Sequence, residues 1–236
     1  MLYIVPTPIG NLRDITLRAL DVLQTADVIL CEDTRRTQQL LTHFQISKPL
    51  VRYNENDDRS VARCLDALKS GKNCALVSDC GTPCISDPGW KLVQEAVKAD
   101  IPVTSLPGPS ALACALAGAG LTGGAFTFLG FLPRKPGKAA KLLRQAAQLN
   151  HPVVVYESPY RVLKMLELIG KTLGATIPVV AARELSKVYE EYVRGTAAEV
   201  AQQLAKRPKV QGEFVLILDC FDYTAPQKED ETNEDL

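Results

Sequence analysis

Cys74-Ala75-Leu76-Val77-Ser78-Asp79-Cys80-Gly81-Thr82-Pro83-Cys84-Ile85-Ser86-Asp87-Pro88-Gly89 is the stretch that decides how this chain is read. Its first four residues are apolar and strand-prone. The remainder holds two glycines, two prolines and two aspartates, more punctuation than a simple connection needs. A helical pattern opens at Trp90. Strand, polar turn and helix in that order place the turn at the carboxyl edge of a sheet, where open α/β sheets bind their ligands. The spacing is neither G-x-G-x-x-G nor a Walker phosphate loop, so the common nucleotide folds match poorly.

Outward from this stretch the first half alternates strands and helices. Residues 2–6, 27–31, 74–78 and 102–106 read as strands. Thr16 is placed to cap a helix running to Thr25. Residues 60–68, 90–99 and 111–117 carry helical spacing, with Val61, Cys64, Leu65 and Leu68 on one face of the first. Repeated β-α alternation predicts a mostly parallel sheet covered by helices. The small-residue stretch 118–124 is the best boundary in the chain. Beyond it, strands are expected at 126–131, 152–156, 178–183 and 213–220, and helices at 138–149, 160–172 and 196–206. The fold class expected is thus α/β in two domains: an N-terminal domain over 1–120 with a mostly parallel sheet, and a C-terminal domain over 121–221 with a mixed one.

Composition narrows the function classes. The chain has 236 residues, 46% of them apolar, enough for a substantial core. No apolar run approaches the roughly 18 residues that span a bilayer. The opening residues lack a basic segment and a small-residue cleavage site, so they read as a first strand and the expected location is the cytoplasm. Seven cysteines are an odd number, and Cys31, Cys74, Cys114 and Cys220 lie in apolar runs, which predicts buried free thiols. Cys80 and Cys84 have C-x₃-C spacing, but no His or Cys pair elsewhere completes a zinc set, so no metal is expected. With only His43 and His151 present, a histidine-based triad is not expected either. Net formal charge is zero, yet residues 222–236 hold six carboxylates and one lysine, which leaves the remaining body mildly basic. This acidic tail has no apolar period and is expected to be disordered. The charged run 54–58 reads as a solvated loop.

Four loops follow strands of the first half: 7–14, 32–36, the opening stretch, and Pro107-Gly108-Pro109-Ser110. In a parallel sheet they converge on one edge. Glycines admit close backbone approach and prolines reduce what must be ordered on binding. Together the loops suit an adenosine-type ligand held by backbone groups and apolar contacts. A helix opening near Ser110 would point N–H groups at an anionic group.

The loops Pro6-Thr7-Pro8-Ile9-Gly10-Asn11-Leu12, Glu32-Asp33-Thr34-Arg35, Ser78-Asp79-Cys80-Gly81-Thr82-Pro83 and Pro107-Gly108-Pro109-Ser110-Ala111 stand in a recognisable order. They are followed by Gly130-Phe131-Leu132-Pro133-Arg134-Lys135, Tyr156-Glu157-Ser158-Pro159-Tyr160-Arg161, Ala182-Arg183-Glu184-Leu185 and Gly212-Glu213-Phe214-Val215. Over about residues 2–220 the chain resembles the small-subunit ribosomal RNA methyltransferase I family, a branch of the tetrapyrrole methylases. The resemblance implies a homodimer with S-adenosylmethionine in an interdomain cleft, methylating a cytidine ribose 2′-oxygen in the decoding region of 16S rRNA in the 30S subunit. It implies cofactor contacts from Pro8, Gly10, Gly81, Thr82, Pro83, Ile85, Pro107, Gly108, Ser110 and Ala111, with Leu132, Tyr156 and Ala182 from the second domain. Family members often continue into a small basic helical extension, whereas here the acidic tail follows.

Methyl transfer to a ribose hydroxyl is an in-line displacement in which positioning supplies much of the rate. A base or nearby cation should manage the hydroxyl proton. Glu157 and Lys135 are the expected catalytic residues, ahead of Glu184 and Asp33, and the competing role for Glu157 is an ion pair with Arg161 or Arg183. Arg35, Arg134 and Arg161 are expected phosphate clamps, and Lys138 and Lys141, with Arg144, form either a basic stripe for the RNA backbone or a solvated helix face. Low aromatic content, 6%, argues for one exposed nucleotide entering a pocket rather than many stacked bases. Two other readings remain: a small-molecule methylase of the same fold, and a non-catalytic ribosome- or nucleotide-binding module.

Overall fold

The computed structural model describes residues 1–121 and 124–224. Residues 122–123 of the glycine-rich stretch, and the expected disordered tail from 225 on, lie outside them. Contacts divide the chain into two compact units, Met1–Cys114 with Leu185–Val188, and Ala115–Glu184 with the chain from Tyr189 on.

The first unit contains β1 (Leu2–Ile4), α1 (Leu17–Thr25), β2 (Val28–Cys31), α2 (Thr34–His43), β3 (Leu50–Arg52), α3 (Asp58–Lys69), β4 (Cys74–Val77), α4 (Trp90–Lys98) and β5 (Val103–Ser105). The strands form one sheet in the order β3-β2-β4-β1-β5, and every pairing is parallel. Side chains alternate across it, as a period of two requires. Cys74 and Leu76 of β4 join Val61, Cys64 and Leu68 of α3 and Leu92 and Ala96 of α4 in one core. Ala75 and Val77 join Ala19 and Leu23 of α1 and Leu41 of α2 in the other. The crossover from β1 runs to β2 on one side and the crossover from β4 runs to β5 on the other. Adjacent β4 and β1 therefore flank a topological switch point, the place where such sheets bind ligands.

The second unit contains β6 (Thr127–Phe131), α6 (Pro136–Ala147), β7 (Val153–Glu157), α7 (Val162–Leu173), β8 (Pro178–Arg183), β9 (Glu191–Thr196), α8 (Ala197–Ala205) and β10 (Phe214–Leu218). Its sheet runs β6-β7-β10-β8-β9, parallel between β6 and β7 and antiparallel elsewhere. Val153, Val155, Leu216 and Ala181 meet Leu143, Leu166 and Val200 of the three helices in its core. Helix α5 (Ala111–Ala119) spans the division between the units.

The mostly parallel first sheet and the mixed second sheet are as expected, and one α-helix and two strands were not foreseen. α2 continues from what reads as the 32–36 loop. Its buried residues are only Thr37 and Leu41, so polar composition hides its period, although Asp33 caps it by accepting a hydrogen bond from the Arg35 N–H at 2.8 Å. β3 has three residues. β9, Glu-Tyr-Val-Arg-Gly-Thr, is a continuous edge strand whose polar residues and Gly195 weaken its strand signal. One burial expectation is corrected. Cys114 is exposed, while Cys31, Cys74 and Cys220 are buried. α5 is apolar on every side, so apolar neighbours do not reveal which face of it is covered; only Ala115 and Ala119 are buried.

Candidate active site

At the carboxyl edge of the first sheet the loops after β1, β4 and β5 are bonded to one another. Thr7 and Gly81 exchange both backbone hydrogen bonds, each 2.9 Å. Thr82 Oγ1 donates to the Pro109 carbonyl at 3.0 Å. Thr7 Oγ1 donates to the Ser78 carbonyl, and Ser78 Oγ to that of Gly81. Pro8, Gly81, Thr82, Pro83, Pro107, Gly108, Ser110 and Ala111 thus stand on one framework. Pro83 is buried beneath it, and Ile85 presents 43% of its surface. Gly10 has a second reason to be glycine. The space of a Cβ is taken by Lys187 Cγ, and the Leu185 carbonyl oxygen lies 3.2 Å away, in a segment sequence reading does not attach to this unit.

The chemistry of this edge suits a sulfonium cofactor. Residues 6–12, 78–89 and 107–111 contain no lysine or arginine, while Asp79 and Asp87 lie on the middle loop. A cationic sulfur and its apolar substituents meet no fixed positive charge within these loops, and the nearby Arg36 of α2 is paired with Asp79.

Two hollows flank Asp79. One, of about 420 Å³, is lined by Glu32, Asp33, Thr34, Arg35 and Arg52 together with Asp79. The other, of about 350 Å³, is lined by Pro8, Leu12, Arg36, Gln39 and Asp79 among others. Asp79 Oδ2 lies 3.5 Å from Arg36 Nη1, while its buried Oδ1 has no hydrogen bond. Arg52 and Gln39 escape a motif reading because they sit on β3 and α2, a strand and a helix with little sequence signal. The Arg35 side chain is 89% exposed and only 3.5 Å from Asp33, a contact worth little energetically. The Asp33 carboxyl is held below its usual range, first by the hydrogen bond from the Arg35 backbone N–H.

In the second unit Tyr156, Val215 and Ala182 form one row across β7, β10 and β8. Phe128 and Phe131 pack edge-on against Tyr156, with centroids at 4.8 and 5.6 Å. Glu157, 2% exposed, closes β7. Its Oε1 accepts from the Ser158 N–H at 2.8 Å. Its Oε2 lies 3.4 Å from Arg161 Nη2 without hydrogen-bonding geometry, so the contact is one of charge alone. Arg161 Nη2 donates to the carbonyl of Leu132, itself buried just beyond β6. Carboxylate and guanidinium together link the ends of β6 and β7 to the start of α7. Lys135 is exposed at the N-cap of α6, and Arg134, Lys138, Lys141 and Arg144 are exposed around it. Arg183 pairs with Glu191 at 2.7 Å, and Glu184 Oε1 accepts from the Glu213 N–H.

The family described as Tetrapyrrole (Corrin/Porphyrin) Methylases matches residues 1–201. Among solved structures, the uroporphyrin-III C-methyl transferase of Thermus thermophilus complexed with S-adenyl homocysteine superposes with a TM-score of 0.65, covering 93% of this chain and 97% of its own. At 18% identity that likeness concerns the fold. Family match, switch-point edge and cation-compatible loops define an S-adenosylmethionine-dependent methyltransferase of the tetrapyrrole-methylase class. Two relatives narrow it further. A ribosomal RNA small subunit methyltransferase I of Hydrogenobaculum is 46% identical over 219 residues, 92% of this chain and 94% of its own length. One of Thermotoga maritima is 45% identical over 218 residues, with 92% and 97% covered. The chain belongs to the ribosomal RNA small subunit methyltransferase I family.

Proposed function

We propose that this chain transfers a methyl group from S-adenosylmethionine to the ribose 2′-oxygen of a cytidine in the decoding region of 16S rRNA, acting on the 30S subunit, in the cytoplasm and as a homodimer. The observation that carries this reading is the identity to relatives named as small-subunit rRNA methyltransferases, which runs through nearly the whole length of both partners. S-adenosylmethionine supplies the electrophilic methyl group. Gly81, Thr82, Pro83, Ile85 and the 107–111 loop hold it through backbone and apolar contacts, with Leu132, Tyr156 and Ala182 as further contacts. Arg35, Arg134, Arg161, Lys138 and Lys141 receive RNA phosphates. In this reading Lys135, exposed and cationic, stabilises the developing alkoxide, and the Glu157 carboxylate, buried beside Arg161, acts as the base.

The decisive assay offers radiolabelled S-adenosylmethionine with either 30S subunits lacking the modification or porphyrinoid acceptors. Label in a cytidine 2′-O-methyl group is the expected result; label only in the porphyrinoid replaces this reading with the small-molecule one. Cofactor binding without transfer to either leaves a binding module. Glu157→Gln and Lys135→Ala, with cofactor affinity measured beside turnover, test the proton-handling roles. Near-normal turnover in both variants rejects them. Sedimentation equilibrium tests the dimer.

A further inference from the structure

Glu55 lies in the charged run 54–58 expected to be solvated; its four companions are exposed, and Glu55 alone departs from that expectation. It is half-buried, and its Oε2 accepts a hydrogen bond from the Gly89 N–H at 2.6 Å. Lys91 Nζ donates to the Glu55 carbonyl at 3.0 Å. Gly89 is the N-cap residue of α4 and has no side chain to cap with. Its φ is 140°, and a Cβ there would stand 2.7 Å from Cys84 Sγ and 2.8 Å from Leu76 Cδ2, so a serine or aspartate cap does not fit. In a capping box the third helical residue, a glutamate, accepts from the N-cap N–H. α8 has this local form, with Glu199 Oε2 accepting from the Thr196 N–H at 2.8 Å. In α4 the third position is Leu92, buried in the core, and Glu55 makes the equivalent bond from 34 residues away.

Gly89 is also the far end of the loop that carries Gly81, Thr82, Pro83 and Ile85. Its near end is tied by the Thr7 bridge and by Thr82 to Pro109. Between these ties Cys84 and Ser86 adopt φ of 70° and 60°, sparsely populated for such residues and held only when the surroundings over-determine them. The bonds within this part, Ile85 N–H to Thr82 and Cys84 N–H to Pro88, are both long at 3.4 Å. Glu55 is itself fixed, since Asn54 N–H donates to Ser60 Oγ and Ser60 Oγ to the Arg52 carbonyl.

We propose that Glu55 is a positioning residue for the cofactor loop, holding its far end so that residues 81–85 meet S-adenosylmethionine preorganised. This rests on the reading of that loop as a cofactor site. Trp90, the single tryptophan, adjoins Gly89 and is half exposed, so its emission reports the environment at this end of the loop. S-adenosylhomocysteine binding by calorimetry, Trp90 emission and the thermal midpoint are measured for wild type, Glu55→Ala, Glu55→Gln and Lys91→Met. Losing a hydrogen bond to a charged acceptor should weaken S-adenosylhomocysteine in Glu55→Ala about tenfold, and raise KM for the methyl donor with kcat at saturation within about twofold. Trp90 emission should shift in that variant before ligand is added. Glu55→Gln keeps an acceptor oxygen and should stay within about threefold of wild type. Lys91→Met removes only the second tie and should give a smaller loss, about two- to threefold, so it decides the matter should Glu55→Ala not fold. Wild-type affinity in a folded Glu55→Ala overturns the inference. So does wild-type affinity with unmoved Trp90 emission in Lys91→Met where Glu55→Ala does not fold, and so does Glu55→Gln weakening as much as Glu55→Ala. Failure of the wild type to bind S-adenosylhomocysteine overturns the cofactor reading itself, and the inference with it.

Discussion

A carboxylate as buried as Glu157 needs a compensating cation, and Arg161, one turn further on, is the one beside it. Removing only one partner of such a pair costs more than the pair contributes, because the other charge stays desolvated. Arg161→Met should therefore destabilise the protein by about 3 kcal/mol in urea unfolding. Glu157→Gln, which retains the oxygen facing the Ser158 N–H, should cost less. If Arg161→Met unfolds at the wild-type midpoint, the pair is not structural. The thiols make a second prediction at this scale. Burial pushes Cys64 and Cys84 up to about 11 and Cys220 up to about 12, and raises Cys31 and Cys74 as well. Little reactive thiolate forms at mildly alkaline pH, and access to it is blocked. Cys31, Cys64, Cys74 and Cys220 should react with a disulfide reagent only after urea is added; modification in the native state would show that the cores open.

At the scale of elements, α8 carries the one complete capping box among the described residues. Thr196→Ala should cost about 1 kcal/mol, measured by denaturant unfolding, because it orphans the Glu199 N–H and removes the hydroxyl bond to Glu199 Oε2, while the backbone N–H of residue 196 still donates to that oxygen. α6 is different in kind. Its exposed Lys138 and Lys141 follow Arg134 and Lys135 at a helix N-terminus with no acidic residue in the first turn. The double reversal Lys138→Glu and Lys141→Glu should weaken 30S binding and lower the salt-dependence slope by about two, if both lysines displace counterions from RNA. An unchanged slope would make α6 an ordinary solvated face.

At the scale of the second unit, Glu191 gathers Arg207 and Arg183, and so joins β9 to β8 and to the segment after α8. Its carboxyl is held below the usual range, first by the hydrogen bonds from Arg207 and then by the one from Arg183. A depressed folded pKa contributes stability that is present above the unfolded value and is lost as pH falls through the folded value. The thermal midpoint should decline below about pH 4.5 in wild type, and Glu191→Gln should decline less steeply while starting lower. Parallel acid limbs for the two proteins would remove Glu191 as a cause.

The alternation of apolar runs with punctuated loops was enough, by itself, to place a parallel sheet, its carboxyl-edge loops and the mixed second sheet, because strand period, helix period and turn chemistry are local properties of neighbouring residues. Motif order added the family. Local signals thin out in α2 with its polar residues, in three-residue β3 and in the glycine-containing edge strand β9, and no periodic pattern marks those elements. The tertiary structure alone decided which distant groups meet: Glu55 with Gly89, Arg36 with Asp79, Gly10 with Lys187. It also decided that Cys114 lies on an exposed face. Nothing in a periodic pattern records which backbone N–H, thirty or more residues away, stands beside a given carboxylate. That is settled only when the sheet order brings β3 and β4 to one edge and lets their loops cross.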